Sequence, residues 1–194
     1  MRKLINSTYI TIDGTVENPH LWPSLGDAAS AESYDVQMEL LNACDAVLMG
    51  RRTYESFSSA WPTRSGNSMA DRMNSIEKLV VSTSLQKPSW NNTRVINAAA
   101  LERIRELKAQ PGKDIVQYGL GQVSFTLLEQ GLMDEIRLWI HPIILGKQGE
   151  QLAHFHDCPP TQLTFVSSRK LANGIVIVNY ACNHSARMAI NGST

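Results

Sequence analysis

The sequence predicts one α/β domain built around a mixed β-sheet, with helices packed on both faces. Two patterns support this prediction. Short apolar strands alternate with helical periodicity through the first part of the chain, which is typical of parallel βαβ units. The end of the chain is rich in strands, and Asn173-Gly174 between two alternating runs is a strong hairpin signal. We therefore expect a sheet that is parallel at first and antiparallel at its C-terminal edge.

The elements before residue 100 follow from periodicity and turn signals. Arg2–Ile12 carries β-branched and aromatic residues and ends at the turn signal Asp13-Gly14, after which residues 15–33 are irregular. Asp35–Cys44 places its apolar residues on one helical face. The remaining predicted elements in this part are a strand at Asp45–Gly50, a helix at Arg52–Ser58, and strands at Lys78–Ser82 and Thr93–Asn97.

Two helices and four strands are predicted after residue 100. The first helix, over Leu101–Leu107, stops at Pro111-Gly112, and the second, over Gln122–Gln130, ends where Gly131 forms a left-handed cap. The predicted strands are Asp114–Tyr118, Glu135–Leu145, Gln162–Arg169 and Ile175–Cys182. We expect a single domain over residues 1–182 and a frayed, polar tail over residues 183–194.

The composition narrows the class of ligand. The chain has 194 residues and a formal net charge of zero, so it lacks the basic field that recruits nucleic acid or an anionic membrane, and we expect a small-molecule ligand.

Cys44, Cys158 and Cys182 are widely spaced and odd in number, which disfavours a disulfide framework or a zinc ribbon. His154 and His156 are interpreted as surface residues rather than metal ligands. Polar residues break the N-terminal apolar run before signal-peptide length, which predicts a cytoplasmic protein.

Three segments that follow predicted strands have residues suited to holding phosphate. In an open parallel sheet, ligands bind beyond the carboxyl ends of the strands. The first segment is Gly50-Arg51-Arg52-Thr53, where the glycine allows close approach, the helix N-terminus is positive, and the arginines add charged donors. Cations are disfavoured at that end of a helix unless an anion is present, so we interpret the arginines as anion-binding. The alternative is a solvated pair at a helix start.

The other two segments give weaker signals. Ser82, Thr83 and Ser84 offer hydroxyls directly after a buried strand, although such residues are also common in turns. Gly119-Leu120-Gly121-Gln122-Val123 resembles the opening of a dinucleotide fingerprint, but Ser124 occupies the third glycine position, so a Rossmann interpretation fails. What remains is a glycine-bounded turn at a helix N-terminus, which suits a pyrophosphate, or a plain strand-to-helix turn.

These motifs resemble a known family. Met49-Gly50-Arg51-Arg52-Thr53-Tyr54-Glu55 resembles the signature of dihydrofolate reductases and of the reductase domain of bacterial riboflavin-pathway deaminase-reductases. Two further runs are similar to the latter branch, namely Leu127-Leu128-Glu129-Gln130-Gly131-Leu132-Met133-Asp134-Glu135 and Ile140-His141-Pro142-Ile143-Ile144-Leu145-Gly146. The similarity extends from Arg2 to Cys182. No deaminase half accompanies it, so we expect a stand-alone reductase.

The resemblance implies a dihydrofolate-reductase-like, three-layer α/β/α fold with an eight-stranded mixed sheet that binds NADPH in an extended pose, often in a homodimer. It places phosphates at Gly50, Arg51, Arg52 and Thr53, the adenosine 2′-phosphate and ribose at Ser82, Thr83 and Ser84, and the pyrophosphate over Gly119, Leu120, Gly121, Gln122 and Val123. It places the nicotinamide beside Tyr9, Ile10, Thr11 and the Asp13-Gly14 loop.

The implied activity is hydride transfer from NADPH to a C=N or C=O group of a ribosylaminopyrimidine-like or pterin-like substrate. Asp35 on the first helix is the candidate proton donor, although an Asp that opens a helix is also a common cap. Tyr9, Trp22 and Trp61 are candidate substrate walls, and either tryptophan is equally explained as packed apolar mass. His141 is interpreted as structural. Two alternatives stay open: an NADP(H)-binding sensor or accessory protein without turnover, and a folate reductase.

Overall fold

The computed structural model describes residues 1–26, 30–148 and 160–187. The strands in these ranges are β1 (Leu4–Thr11), β2 (Cys44–Gly50), β3 (Glu77–Val81), β4 (Thr93–Ile96), β5 (Asp114–Tyr118), β6 (Glu135–His141), β7 (Thr161–Lys170) and β8 (Val176–Arg187). The α-helices in the same ranges are α1 (Ser30–Ala43), α2 (Arg51–Ala60), α3 (Ser68–Ser75), α4 (Ala100–Ala109) and α5 (Gln122–Glu129). Short 3₁₀ turns lie at Pro19–Leu21 and Gly146–Gln148.

The described strands join one mixed sheet in the order β4-β3-β2-β5-β1-β6-β8-β7. Every neighbouring pair from β4 to β6 is parallel, whereas β8 pairs antiparallel with both β6 and β7. Within the described ranges, the predicted eight-stranded mixed sheet with an antiparallel C-terminal edge is therefore confirmed. Asn173 and Gly174 lie in the predicted turn between β7 and β8, where Gly174 has a φ of 85°.

Helices cover both faces of the sheet, which makes three layers. On one face, Leu107 of α4 and Leu127 of α5 belong to the same apolar cluster as Leu48 of β2. On the other face, Val47 of β2 shares a cluster with residues of α1, α2 and α3, among them Leu41. Successive residues of β2 alternate between the two clusters, as the period of a strand requires. None of the helices in the described ranges has the length and apolar character needed to cross a membrane.

Two strand ends near the C-terminus differ from the prediction. β6 stops at His141 rather than at Leu145, because Pro142 has no N–H with which to continue the ladder. β8 continues to Arg187, which pairs with Thr161 of β7. Residues 183–187 are thus part of β8, and the rest of the expected tail, residues 188–194, lies outside the described residues.

Two helical segments also differ from the prediction. α1 begins at Ser30, so residues 30–33 are helical rather than irregular, and Asp35 lies inside the helix instead of opening it. α3 has no counterpart among the predicted elements. It has only eight residues, it buries Met69, Ala70 and Met73, and its N-cap Asn67 accepts the backbone N–H three residues later at 2.9 Å. The Asn67 cap and the apolar residues at positions 69 and 73 are the sequence signals that the prediction missed.

Candidate active site

The carboxyl ends of the parallel strands lie at one edge of the sheet, which we call the carboxyl edge. β2 lies between β3 and β5, with Gly50 paired to Val81 and Met49 paired to Tyr118. The segments that follow Val81 and Tyr118 therefore leave the sheet at the level of Gly50. The fold thus brings the three candidate phosphate-holding segments to neighbouring positions.

The segments after β2 and β5 touch each other through their glycines. A Cβ atom on Gly50 would lie 3.3 Å from Val123 Cγ2, and one on Gly119 would collide with the Thr53 hydroxyl. Gly119 has a φ of 83°, in the left-handed region that other residues disfavour. Its peptide bond to Leu120 is trans, as are all peptide bonds in the described residues. Position 119 therefore requires glycine for both its conformation and its space.

The N-termini of α2 and α5 are neighbours at the carboxyl edge. Their N-cap residues are Gly50 and Gly121, which have no side chain to cap the helix, and α4 after β4 likewise has no side-chain cap at Ala99. In contrast, α3 is capped by Asn67. The first N–H groups of a helix have no partner within the helix and lie at the positive end of its dipole. The two adjacent N-termini therefore form a suitable position for an anionic group.

A buried polar network fixes the turn after β5. The carbonyl oxygen of Gly119 accepts from Asn6 Nδ2 at 3.0 Å, from Gln117 Nε2 at 2.8 Å and from Ser124 Oγ at 3.0 Å. All three side chains are buried. Three donors on one carbonyl hold the turn in a single orientation, which presents the start of α5 to the edge. The sequence did not predict the role of these three residues. The one available signal is Ser124, which occupies the third glycine position of the dinucleotide fingerprint.

Arg51 and Arg52 both stand at the start of α2, but each already has a carboxylate partner. Arg51 pairs with Glu55 at 3.0 Å within the helix, and Arg52 pairs with Glu17 in the loop after β1. The Arg52 side chain is 80% exposed. The sequence predicted that an anion would lie beside the two arginines, and the carboxylates of Glu55 and Glu17 partly fill that role. Exposed pairs of this kind contribute only about 0–1 kcal/mol, so a stronger anion displaces them readily.

The three hydroxyls after β3 divide into two roles. Ser82 is buried, and its Oγ accepts from the N–H of Ser84 at 3.2 Å and of Leu85 at 3.0 Å. It therefore builds the turn, which is the alternative that the sequence left open. Thr83 and Ser84 are exposed at the edge. These two residues, rather than Ser82, present their side chains outward.

Aromatic side chains meet where β1 and β6 end, and we call Tyr9, Trp22 and His141 the aromatic cluster. The centroid of the His141 ring lies 4.8 Å from that of Tyr9 and 5.2 Å from that of Trp22. The Tyr9 hydroxyl accepts from Gln37 Nε2, and its burial raises the pKa of Tyr9 to about 12. The Trp22 indole N–H donates to the carbonyl of Glu17 at 3.1 Å. The fold thus joins two of the three predicted substrate-wall residues.

His141 has an unsatisfied hydrogen-bonding atom within this cluster. Its Nε2 is buried and has no hydrogen-bond partner among the described residues. Burial lowers the pKa of His141 to about 4, so the ring is neutral near pH 7. The structural role inferred from the sequence accounts for the packing of the ring but not for the unpaired nitrogen.

The end of β1 places the remaining residues expected near the nicotinamide. Ile10 is buried on the face of β1 opposite to Tyr9 and Thr11. Thr11 Oγ1 donates to Asp13 Oδ1 at 2.5 Å, and Asp13 Oδ2 accepts from the N–H of Gly146 at 2.8 Å. These hydrogen bonds lower the pKa of Asp13 and tie the loop after β1 to the loop after β6.

A second aromatic wall stands on α2. The Phe57 ring lies 5.6 Å from Tyr118 and 6.4 Å from Trp61, and the Arg64 guanidinium lies 5.0 Å from the centroid of Trp61. Among the described residues, the ring partners of Trp61 are thus Phe57 and Arg64. The tryptophan expected at position 61 to wall the substrate belongs to a different cluster from Trp22.

Asp35 is exposed on α1. Gln37 faces the sheet and donates to the Tyr9 hydroxyl, and the helical period places Asp35 on a different side of the helix. The adjacent Tyr34 is engaged elsewhere, because its hydroxyl accepts from the N–H of Met69 at 2.9 Å. The role of Asp35 as proton donor stays a prediction, and its position in the helix does not support it.

The described residues contain no group of three or more His, Cys, Asp and Glu side chains arranged to hold a metal ion. His154, His156 and Cys158 lie outside the described residues. Cys44 is a buried free thiol, and burial raises its pKa to about 12, so it is not a reactive nucleophile.

The sheet and the helices on both of its faces define a dihydrofolate-reductase-like, three-layer α/β fold. Residues 2–177 match the RibD C-terminal domain family, and the chain belongs to that family. Among its relatives is YyaP of Bacillus subtilis (strain 168), a protein described as uncharacterized. The two are 30% identical over 196 aligned positions, which cover 94% of this chain and 96% of YyaP.

Solved structures share the fold at low sequence identity. A candidate riboflavin biosynthesis protein from Shewanella sp. PV-4 has a TM-score of 0.69 and 16% identity, over 93% of this chain and 99% of that one. A pyrimidine reductase-like protein from Corynebacterium diphtheriae has a TM-score of 0.66 and 14% identity, over 94% and 92% of the two chains. RibD of Acinetobacter baumannii has a TM-score of 0.60 and 15% identity, and this chain spans 58% of its length.

Proposed function

We propose that this protein is a cytoplasmic, NADPH-dependent reductase acting on a C=N or C=O group of a ribosylaminopyrimidine-like or pterin-like substrate. The observation that carries the proposal is the contact between the segments after β2 and β5, which sets two uncapped helix N-termini side by side. A pyrophosphate is the kind of group that such N–H clusters bind. Membership of the RibD C-terminal domain family adds independent support.

The groups at the carboxyl edge fit the anionic part of the cofactor. The N–H groups that begin α2 and α5 would hold the pyrophosphate, and Thr83 and Ser84 would lie beside the ribose. Arg51 and Arg52 would exchange their glutamate partners for phosphate oxygens. A charge-assisted hydrogen bond contributes about 1.5–3 kcal/mol, more than the exposed ion pair that it replaces.

Bound NADPH supplies the hydride in a reaction of this class. The chain's own residues bind, orient and exclude water. The aromatic cluster consists of neutral rings near the end of β1, where the family resemblance places the nicotinamide. These rings keep solvent from that part of the edge.

Fluorescence titration of the purified protein with NADPH tests cofactor binding. We expect a saturable change with NADPH and binding about 10-fold weaker with NADH, which lacks the 2′-phosphate. Oxidation of NADPH is then measured with a phosphorylated ribosylaminopyrimidine, a set of pterins and dihydrofolate. A flat titration would contradict the proposal, and turnover of dihydrofolate that an antifolate blocks would identify a folate reductase instead.

The position of Asp35 favours a second candidate, an NADP(H)-binding sensor or accessory protein. Reduction of a C=N group requires a proton as well as a hydride, and the predicted donor is exposed on α1. Saturable NADPH binding without oxidation by any member of the substrate panel supports this candidate. Oxidation with one member rules it out.

We also propose that the protein is a homodimer. β7 forms one edge of the described sheet, and its Phe165 and Val166 are 59% and 54% exposed. An edge strand that exposes apolar side chains among polar ones offers unpaired backbone groups and a small apolar surface that a second copy would cover. Light scattering should give the mass of a dimer for the wild type and a lower average mass for Val166→Lys. A monomeric wild type would contradict the proposal.

A further inference from the structure

We propose that His141 recognises a planar, uncharged ring with an amide-type edge, through a hydrogen bond at its Nε2 atom. The inference rests on the proposed function, because it assumes that the reactants meet at the carboxyl edge. Beyond that function, it names His141 as the residue that hydrogen-bonds to the ring of the ligand. Either reactant could supply such a ring: the nicotinamide carries a carboxamide, and a pterin or pyrimidine carries an amide within the ring.

The buried Nε2 atom of His141 is the polar atom of the aromatic cluster that lacks a partner among the described residues. Buried polar atoms are nearly always hydrogen-bonded, and leaving one unpaired is costly. The neighbouring rings are satisfied: the Tyr9 hydroxyl accepts from Gln37, and the Trp22 indole donates to the carbonyl of Glu17. His141 Nε2 has no such partner in the described chain. At a functional site, a buried polar atom without a partner in the protein is explained when a ligand supplies the missing hydrogen bond.

The imidazole of His141 lies at the same edge of the sheet as the proposed phosphate site. His141 ends β6 and pairs with Thr11 at the end of β1, so it lies at the same edge as the uncapped helix N-termini. β5 and β1 separate β6 from β2, which places His141 about 14 Å along the edge from Gly50 at roughly 4.8 Å for each strand spacing. An extended ligand held by its phosphates at α2 and α5 would run toward His141.

The side chains in direct contact with the aromatic cluster are uncharged. The Tyr9 hydroxyl is hydrogen-bonded to the neutral amide of Gln37, and the imidazole itself is neutral. Ser33 lies one turn before Gln37 on α1, and its buried Oγ also lacks a hydrogen-bond partner among the described residues. The carboxylates of Asp13 and Glu17 lie in the adjoining loops but are already engaged, the first by Thr11 and the N–H of Gly146 and the second by Arg52, so a charged ring would gain no free counter-ion. Neutral polar atoms suit an uncharged ring with donors and acceptors along its edge.

Trp22 is the neighbour of His141 that moves to admit the ring. Tyr9 is fixed within β1 and by its hydrogen bond to Gln37. Trp22 follows the Pro19–Leu21 turn, and its indole hydrogen bond ends on Glu17 of the same loop. Displacing the indole with its loop therefore exposes the imidazole and leaves β1 and β6 intact.

The test compares His141→Phe with His141→Gln. Phenylalanine keeps a ring for packing and removes the nitrogen, whereas glutamine keeps a hydrogen-bonding group near the Nε2 position. Three probes are titrated: NADPH, 2′-phospho-ADP-ribose (which has no nicotinamide) and 6-methylpterin. We expect His141→Phe to weaken NADPH or 6-methylpterin by about 10-fold, leave 2′-phospho-ADP-ribose unchanged and keep or raise the Tm at pH 7. His141→Gln should stay within about 3-fold of the wild type.

The outcomes separate this inference from the proposed function. Whichever ring loses affinity is the one that His141 contacts. Tyr180→Phe, which removes a polar atom from an aromatic ring near the opposite end of the sheet, is the control that should lose neither. Unchanged affinity for both rings in His141→Phe would overturn the inference alone. So would an equal loss for 2′-phospho-ADP-ribose with a lowered Tm, since that is the result of a structural role. A wild-type protein that binds none of the three probes contradicts both the inference and the proposed function.

Discussion

At the scale of single residues, Gly119 combines three requirements in one position. Its φ of 83° favours glycine, its missing side chain leaves room for Thr53, and its carbonyl accepts three buried donors. Each requirement serves the same end, which is to bring the start of α5 against the start of α2. The residue therefore links backbone conformation to the geometry of the proposed phosphate site.

Gly119→Ala should abolish saturable NADPH binding and lower stability. The left-handed conformation alone costs a residue with a side chain about 1–2 kcal/mol, and the collision with Thr53 adds to that cost. Gly66→Ala is the matched control, because Gly66 has a φ of 80° with open space around it. It should lose stability by a similar backbone cost and bind NADPH normally. Equal NADPH affinity in the two variants would contradict the role given to Gly119.

Arg51→Ala and Arg52→Ala should each weaken NADPH by about 10-fold and leave NADH nearly unchanged, if each removes a charged contact to the 2′-phosphate, which NADH lacks. Isothermal titration of both cofactors measures the effect. Arg94→Ala removes an exposed arginine that pairs with Glu77, the first residue of β3, at the end of that strand opposite to the carboxyl edge, and should change neither affinity. Equal losses for NADPH and NADH would show that the arginines do not distinguish the 2′-phosphate.

His141 should make the stability of the protein sensitive to mild acid. Its pKa is lowered to about 4 in the folded chain, whereas an unfolded histidine titrates near about 6.5. Between these values the unfolded state binds more protons, so the free energy of unfolding falls as the pH drops from 6.5 toward 4. Urea unfolding at pH 7 and pH 4.5 should show a loss of about 1–3 kcal/mol that is absent from His141→Phe. The same loss in both proteins would assign it to other groups.

Residue-scale prediction from the sequence succeeded where local backbone chemistry decided the outcome. Gly50, Gly119 and Gly121 stand at strand-to-helix turns that any reading of the periodicity locates. The side chains that support them were not predictable in the same way. Asn6 meets the Gly119 carbonyl only because β1 and β5 pair in register across more than a hundred residues of sequence. Such partners are fixed by tertiary structure and leave no local pattern.

At the scale of elements, α3 shows how contacts at both ends stabilise a helix of only eight residues. Asn67 caps its start, and Lys78 donates to the carbonyls of Met73 and Asn74 near its end, both at 3.0 Å. The Lys78 ammonium also lies 4.4 Å from the centroid of the Trp90 ring. Because Lys78 belongs to β3, this contact is tertiary, which explains why periodicity alone did not predict the helix.

Asn67→Ala should lower the free energy of unfolding by about 1 kcal/mol, the usual cost of losing an N-cap. Asn67→Asp keeps an oxygen that accepts from the backbone and should remain within a few tenths of the wild-type value, roughly as cap rankings indicate. Urea unfolding of the three proteins measures both. Equal destabilisation by alanine and aspartate would show that the cap does not stabilise α3.

At the scale of the whole molecule, the topology accounts for the site. The order β3-β2-β5-β1-β6 places five parallel carboxyl ends in a row, so glycines, hydroxyls and arginines that are far apart in sequence share one edge. Alternating βαβ units and the Asn173-Gly174 hairpin were sufficient to predict this architecture. The strand order itself was not predicted, because periodicity does not reveal which strands are neighbours.

The most direct test of the account is a crystal structure of the protein with NADPH. The account predicts phosphate oxygens within hydrogen-bonding distance of the N–H groups that begin both α2 and α5, with Arg52 turned from Glu17 toward the ligand. A dinucleotide bound away from the carboxyl edge, or held there without contact to either helix N-terminus, would contradict it.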